Sequence, residues 1–283
     1  MCEGLLSPNF KPHFGFILSS NYSAWGIKSL VLWTGISRYE YFEFSYVLSN
    51  LPLIGSRVLD VGSGHSLLPG ILSSLGYEVI AMDLDRDAMC WQKKQRNATG
   101  SRFEALVADT RFLPFKQGSF DMATAISSLE HIRGAGDSEA CQEIAKSLRC
   151  GGYMIVTVPG SRCESTLETE DDFGGIPVIA ATRLRPVIRT LFRALGVDRN
   201  NGFFERSYSV SDAMRRCVPS TCVAEQALGA TLAGDSERWI HRVLPVGTNA
   251  LIEWVIAHFM VRIDLSRNKD ALPGSISFLM RRL

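Results

Sequence analysis

In the run Val58-Leu59-Asp60-Val61-Gly62-Ser63-Gly64-His65-Ser66, an acidic residue is followed closely by two glycines. Glycine has no Cβ, so the backbone can turn tightly and let a ligand approach. If a helix opens next, its first N–H groups face an anion. Such a loop suits a nucleoside-bearing ligand. Asp83 follows about twenty residues later, where a carboxylate can accept hydrogen bonds from ribose hydroxyls, with Leu84 beside it. A Gly-x-Gly-x-x-Gly dinucleotide fingerprint counted from Gly62 would need glycine where Leu67 stands, which argues against a nicotinamide site. Further along come Ala108-Asp109-Thr110, Gly118-Ser119-Phe120-Asp121 and Ser127-Ser128-Leu129-Glu130-His131. Histidine titrates near neutrality and is the natural general base for a hydroxyl.

Residues of these types work only at the ends of strands and the starts of helices. From residue 56 to 158 short β-rich apolar runs alternate with helical segments, the pattern of a parallel sheet covered on both faces. Strands are expected at 57–61, 78–83, 105–109, 121–126 and 153–158. A helix is expected over 66–75, with Pro69 in its first turn and Gly76 ending it. Another begins near Asp137 as N-cap and stops at Gly151-Gly152. Upstream, the aromatic segment 39–51 reads as a helix across the mouth of the first strand, preceded by an apolar segment from Trp25 to Trp33. Tyr39, Tyr41, Phe42 and Phe44 fit either an apolar lid or core packing. Downstream lie an acidic stretch from Glu164 to Asp172 and an amphipathic helix carrying Ile188, Leu191, Phe192 and Leu195. A helix over 211–217 and strands over 221–228 and 275–282 complete the pattern.

The series Asp60, Gly62-x-Gly64-x-Ser66, Asp83, Asp109, Phe120-Asp121 and Arg149-Cys150-Gly151-Gly152 resembles that of class I S-adenosylmethionine-dependent methyltransferases, in particular the small-molecule enzymes that include those of quinone biosynthesis. The resemblance covers residues 56 to 160. It departs from the family's third glycine at Ser66. It implies an α/β fold, a doubly wound, mostly parallel seven-stranded sheet with an N-terminal helical lid and an insertion after the fifth strand. The expected organisation is a single domain, 1–283. Its parts are a lid (1–50), a cofactor-binding half (51–160), a substrate-cap insertion (161–209), and C-terminal helices and last strands (210–283).

The implied cofactor is S-adenosylmethionine. By resemblance, Gly62, Ser63, Gly64 and Ser66 cradle its methionine part and Asp60 holds the amino group. Asp83, with Leu84, meets the ribose, and Asp109 accepts from the adenine amino group with Thr110 alongside. Ser127 and Ser128 line the methyl-donor channel, and His131 is the candidate base with Glu130 as its partner. Metal-dependent relatives carry a glutamate three residues before the one matching Glu130. Ser127 stands there, so no metal is expected. Plain structural readings compete: Asp60 as a turn cap, Asp83 as a strand-end carboxylate, Asp109 as a turn former, and His131 as a loop cap.

The expected function is methyl transfer to O, N or C of a small apolar metabolite. Its competitors are a non-methylating S-adenosylmethionine-binding protein or cyclase on the same fold, and a nicotinamide-dependent oxidoreductase. With 283 residues, 46% hydrophobic, and 30 basic against 29 acidic side chains, the chain can build a large core and has no field favouring nucleic acid. Seven scattered cysteines form no Cys-x-x-Cys pair and read as reduced thiols. The N-terminus lacks a secretory pattern, so a cytoplasmic location is expected and the sequons at Asn21 and Asn97 are without consequence. The apolar stretch 250–263 is interrupted by Glu253, His258 and Arg262 and is too short to span a bilayer. Read as a helix, it permits a homodimer. His13 and His65 lack persuasive partners in sequence, and His241 and His258, in expected C-terminal helices, read as packed or exposed rather than catalytic. Arg185, Arg189 and Arg193 share a helix face open to acidic substrates or to solvent. Arg206 and Tyr208 fit a structural role better than a place in the substrate pocket.

Overall fold

The computed structural model describes residues 13–25, 38–53, 56–169, 203–232, 254–255, 261–264 and 275–283. Helices α1 (Phe14–Trp25) and α2 (Arg38–Ser49) precede strand β1 (Arg57–Val61). There follow α3 (Leu68–Ser74), β2 (Glu78–Asp83), α4 (Arg86–Thr99), β3 (Phe103–Val107) and β4 (Phe120–Ile126). A 3₁₀ turn (Leu129–His131) leads to α5 (Gly136–Ser147) and β5 (Leu148–Pro159). The short strands β6 (Ser165–Thr169) and β7 (Phe203–Ser207) flank residues 170–202, and α6 (Val210–Cys217), β8 (Cys222–Leu232), β9 (Val261–Asp264) and β10 (Ser275–Arg282) complete the order.

The main sheet runs β3-β2-β1-β4-β5-β10-β8-β9, while β6 and β7 form a separate antiparallel pair. The first five strands are parallel, and β10, β8 and β9 each run antiparallel to the preceding neighbour. Seven of these strands form the expected mostly parallel sheet, and β9 adds an eighth at its edge. The strand order reverses between β1 and β4, so the crevice outside their carboxyl ends is the natural ligand position. That crevice is where Gly62–Ser66 and Ser127–His131 emerge.

Both faces of the sheet are covered. On one, Phe14 and Ile17 of α1, Tyr41, Phe42 and Phe44 of α2, Leu72 of α3 and Met89 of α4 pack with Val58, Val79 and Ile155. On the other, Ala140 and Ile144 of α5 and Ala213 and Cys217 of α6 pack with Leu59, Ala123 and Val156. Each fully buried side chain such as Leu59 or Leu72 contributes about 1.5–3 kcal/mol. The aromatic residues of α2 are therefore core residues, with Phe14 set edge-on to Tyr41 and Phe42 at centroid distances of 6.0 and 5.1 Å.

Several local expectations change. Strand β3 starts and ends two residues earlier than expected, which leaves Asp109 in the turn beyond it, where Phe112 N–H bonds to its carbonyl at 2.9 Å. Helix α3 begins at Leu68, and Ser66 Oγ accepts the Leu68 N–H at 3.1 Å. Asp137 is not the N-cap of α5, because it lies inside the first turn and its carboxylate is drawn to two arginines. Gly151 and Gly152 do not stop that helix. They lie within β5 near a register shift against β4, where a Cβ on Gly152 would come within 2.9 Å of the Arg149 carbonyl. The apolar stretch 250–263 ends in the extended strand β9 rather than in helix. Helix α4, unmarked in the sequence reading, is capped by the Asp85 side chain and ended by left-handed Gly100. The segment Trp25–Trp33 beyond α1, the helix around Ile188–Leu195, Arg185, Arg189, Arg193, His241 and His258 lie outside the described residues. Among the described residues no helix is long and apolar enough to cross a membrane.

Candidate active site

The loop between β1 and α3 is built around two left-handed glycines, Gly62 at φ 65° and Gly64 at φ 46°. A Cβ at Gly62 would lie 2.3 Å from the Ser128 Cβ, so this position tolerates no side chain. Ser63 is buried, donating its N–H to the Met82 carbonyl at 3.0 Å and its hydroxyl to the Asp60 carbonyl at 2.8 Å. Ser66 N–H closes the turn on the Ser63 carbonyl at 2.9 Å. Gln92, buried on α4, donates to the carbonyls of Gly64 and Ser66 at 3.1 and 2.9 Å and so holds the loop from below. The sequence reading missed it. Its signal was a polar residue on the same helical face as Ala88 and Met89.

Parallel register places Asp60 opposite Thr124. The threonine hydroxyl donates to Asp60 Oδ1 at 2.6 Å, whereas Oδ2 is buried with no hydrogen-bond partner among the described residues. Burial pushes the Asp60 carboxyl up to about 6, with Asp83 adding to the rise and the Thr124 and Ser63 hydroxyls opposing it. Asp83, at the end of β2, accepts the Gly64 N–H at 2.9 Å on Oδ2 and the Asp85 N–H at 2.8 Å on Oδ1. Next to it Leu84 is 67% exposed, an apolar surface at the crevice suited to a flat base. Asp109 is held by Arg111 through Nε at 3.0 Å and NH2 at 2.6 Å, which keeps its carboxyl below the ordinary range. Its carboxylate is thus shared with an arginine, and Thr110 sits in the same turn.

Across the switch point, Ser127 adopts φ 46°, a left-handed conformation costly for a residue with a side chain. Its N–H meets the Thr157 carbonyl at 3.1 Å, and its hydroxyl donates to Glu43 at 2.9 Å. Ser128 donates to the Val61 carbonyl at 3.3 Å. Glu43, absent from the sequence reading, is buried on α2 and also accepts from the Ser275 hydroxyl at 2.7 Å. Glu130 is buried with Oε2 unpartnered, and burial, followed by the charges of Glu43 and Glu205, pushes its carboxyl well up. His131 stands on the exposed rim with Nδ1 2.8 Å from the Phe204 carbonyl. A carbonyl can only accept, so Nδ1 carries a proton and donates it. Nε2 lies 4.0 Å from Glu130 Oε1, beyond hydrogen-bond reach.

The strand that presents Phe204 is itself clamped. Asp137, fully buried, accepts from Arg206 at 2.7 Å, Arg216 at 2.7 Å and Tyr208 at 2.9 Å. Burial would raise the Asp137 carboxyl, but Arg216, Tyr208 and Arg206 outweigh it and hold the group low. Glu164 joins through Arg206 at 3.3 Å and Arg215 at 3.1 Å. Arg206 and Tyr208 therefore brace the β6–β7 pair against α5. His65 packs its ring edge-on to Trp91, and His13 N–H meets Ser45 Oγ at 2.9 Å. Among the described residues no three His, Cys, Asp or Glu side chains converge on a point that could hold a metal.

These residues fit S-adenosylmethionine. Among the described residues the unpartnered Asp60 Oδ2 suits a ligand ammonium, the cradle at Gly62 is one a Cβ would fill, and the exposed Leu84 lies beside the Asp83 carboxylate. Comparison with known proteins agrees. The methyltransferase domain family matches residues 59–156. A ubiquinone biosynthesis O-methyltransferase of Xanthomonas euvesicatoria is 36% identical over 116 residues, 41% of this chain and 48% of the relative. One from Paraburkholderia phymatum is 29% identical over 128 residues, 44% of this chain and 53% of the relative. The chain spans about half the length of the curated relatives it matches. An S-adenosylmethionine-dependent methyltransferase from Clostridium acetobutylicum superposes with a TM-score of 0.53 at 12% identity, covering 88% of this chain and 93% of that one. Another from Methanosarcina mazei gives 0.50 at 12% identity over 84% and 97%. At such identities the likeness is one of fold. Sheet order, loop geometry and the match over residues 59–156 agree on a methyltransferase domain of the class I fold, with S-adenosylmethionine as its cofactor.

Proposed function

We propose that the chain transfers the cofactor's methyl group to O, N or C of a small, apolar acceptor. The observation that carries this reading is the buried, unpartnered Asp60 Oδ2 beside the Gly62–Gly64 turn, a carboxylate oxygen that needs a cationic donor. When bound, the cofactor supplies a methyl group on a sulfonium, already activated toward a nucleophile. The protein's task is then to align the nucleophile and exclude water.

Gly62, Ser63, Gly64 and Ser66 hold the amino-acid end, Asp60 its ammonium and Asp83 the ribose hydroxyls. Leu84 packs on the base, and Asp109 with Thr110 faces the base's amino group. Ser127 and Ser128 line the approach to the methyl. His131, held by the Phe204 carbonyl with Glu130 as its neighbour, stands at the rim where the acceptor enters. The β6–β7 pair, near the two ends of the expected insertion over 161–209, reaches this rim through Phe204 and is suited to border the acceptor. In the curated relatives the name itself gives oxygen as the methylated atom, which favours oxygen here.

Calorimetric titration with S-adenosylhomocysteine, and with NAD for comparison, tests the reading. Saturable binding of the former alone is expected, and preference for NAD would overturn it.

A further inference from the structure

We infer that Glu43, acting through Ser127, takes the proton from a hydroxyl acceptor as that hydroxyl is methylated. The inference rests on the methyl-transfer reading above and narrows the acceptor to an alcohol or phenol. Glu43 lies on α2 among Tyr41, Phe42, Phe44 and Tyr46, and is 2% exposed. Three hydroxyls face it from three strand ends. Ser127, after β4, lies at 2.9 and 3.1 Å, and Ser275 of β10 at 2.7 Å. Thr157 of β5 also bonds to it. Because Ser127 gives its own proton to Glu43, its oxygen can offer only lone pairs to the channel.

An acceptor hydroxyl seated on Ser127 Oγ therefore has a proton path. Its O–H bond breaks toward Ser127 Oγ while the Ser127 proton moves to the Glu43 carboxylate. The acceptor oxygen forms its bond to the methyl carbon as the carbon–sulfur bond breaks, leaving that electron pair on sulfur. Glu43 ends as the neutral acid and later returns its proton to water.

Two features separate this from a mere anchor for α2. An amide oxygen would accept two of these hydroxyls without burying a charge, so as a mere anchor a carboxyl here is the expensive choice. Ser127 also holds its hydroxyl at φ 46°, where glycine would fit without strain. The charged surroundings suit a base. Glu130, from the 3₁₀ turn, faces Glu43, with Glu205 of β7 and Cys217 of α6 beyond it, and the groups that act most on Glu43 are hydroxyls rather than cations among the described residues. Burial pushes the Glu43 carboxyl up, against the pull of the three hydroxyls, which makes its carboxylate a stronger base than an ordinary one.

The test compares wild type, Glu43→Gln and Ser127→Ala with catechol and with the more acidic 4-nitrocatechol, which ionises with little help. Both variants are expected to lose about a hundredfold or more in kcat with catechol and to change little with 4-nitrocatechol. An infrared pH titration of the S-adenosylhomocysteine complex should show a protonated-carboxyl band that Glu43→Gln lacks. The band should vanish at the pH where catechol turnover rises. Equal losses on both acceptors, no loss on either, or a band that titrates away from that pH would overturn the relay. If Glu43→Gln does not fold, Ser127→Ala carries the acceptor comparison. A wild type that binds S-adenosylhomocysteine yet methylates neither hydroxyl also overturns the relay, whereas failure to bind S-adenosylhomocysteine at all counts against the methyl-transfer reading itself.

Discussion

Asp60→Asn should make the ligand-free protein more stable at neutral pH while weakening its hold on the cofactor. Burial lifts the Asp60 carboxyl from 3.8 to about 6, so the fold prefers its neutral form. At ~1.36 kcal/mol per pK, keeping the group ionised at pH 7 costs about 3 kcal/mol relative to the unfolded chain. The sign follows from proton counting: between the two values the folded state binds more protons, so stability falls as pH rises from about 4 to about 6 and then levels off. Asparagine mimics the neutral acid and should show no such fall. Urea unfolding of both proteins from pH 4 to pH 7.5 should therefore open a gap of about 3 kcal/mol in favour of the variant. S-adenosylhomocysteine, whose ammonium meets the carboxylate, should bind the variant about ten- to a hundredfold more weakly, the worth of a charged hydrogen bond at ~1.5–3 kcal/mol. A constant offset between the two proteins across this range, or undiminished ligand affinity, would refute the assignment of Asp60 as a buried, cation-seeking carboxylate.

Gly62→Ala forces a Cβ into the space held by Ser128 and should abolish measurable S-adenosylhomocysteine binding, read by calorimetry, in a protein whose circular dichroism stays native. Asp83→Ala should weaken the same ligand by about 1.5–3 kcal/mol, and unchanged affinity in a folded variant would remove its ribose role. Arg216→Ala strips one of two arginines from buried Asp137 and should cost about 3 kcal/mol in denaturant unfolding. The stability that Asp137 contributes is present above the ordinary aspartate range and lost on acidification below it, since its carboxyl is held low. His131→Ala should keep ligand affinity and turn over catechol near the wild-type rate, and a loss as large as that of Glu43→Gln would make His131 the base in its place.

What could be read from sequence was local. Strands β1, β2 and β10 begin and end where their apolar runs do, because glycine or polar residues bound each run closely. The cofactor loop was readable for the same reason, since its chemistry is contained within Asp60 to Ser66. Helix α4 escaped notice because its buried stripe is thin, resting on Ala88, Met89 and Gln92 amid charged residues. Glu43 and Asp137 escaped because their partners are remote: Ser127 and Ser275 lie 84 and 232 positions from Glu43, and Arg206 and Arg216 lie 69 and 79 from Asp137. An acidic residue among aromatics, one of two with Glu40, was the available hint for Glu43, and no local pattern could name what it would meet.

The β6–β7 pair joins Thr169 to Phe203 in register, so the two ends of the intervening sequence are tied before that sequence does anything. With closure already secured, lengthening such an excursion is cheap, about 0.6 kcal/mol per doubling. The number of residues between those strands can therefore change at little cost to the Asp137 clamp or to the carbonyl that orients His131, both of which lie outside that stretch.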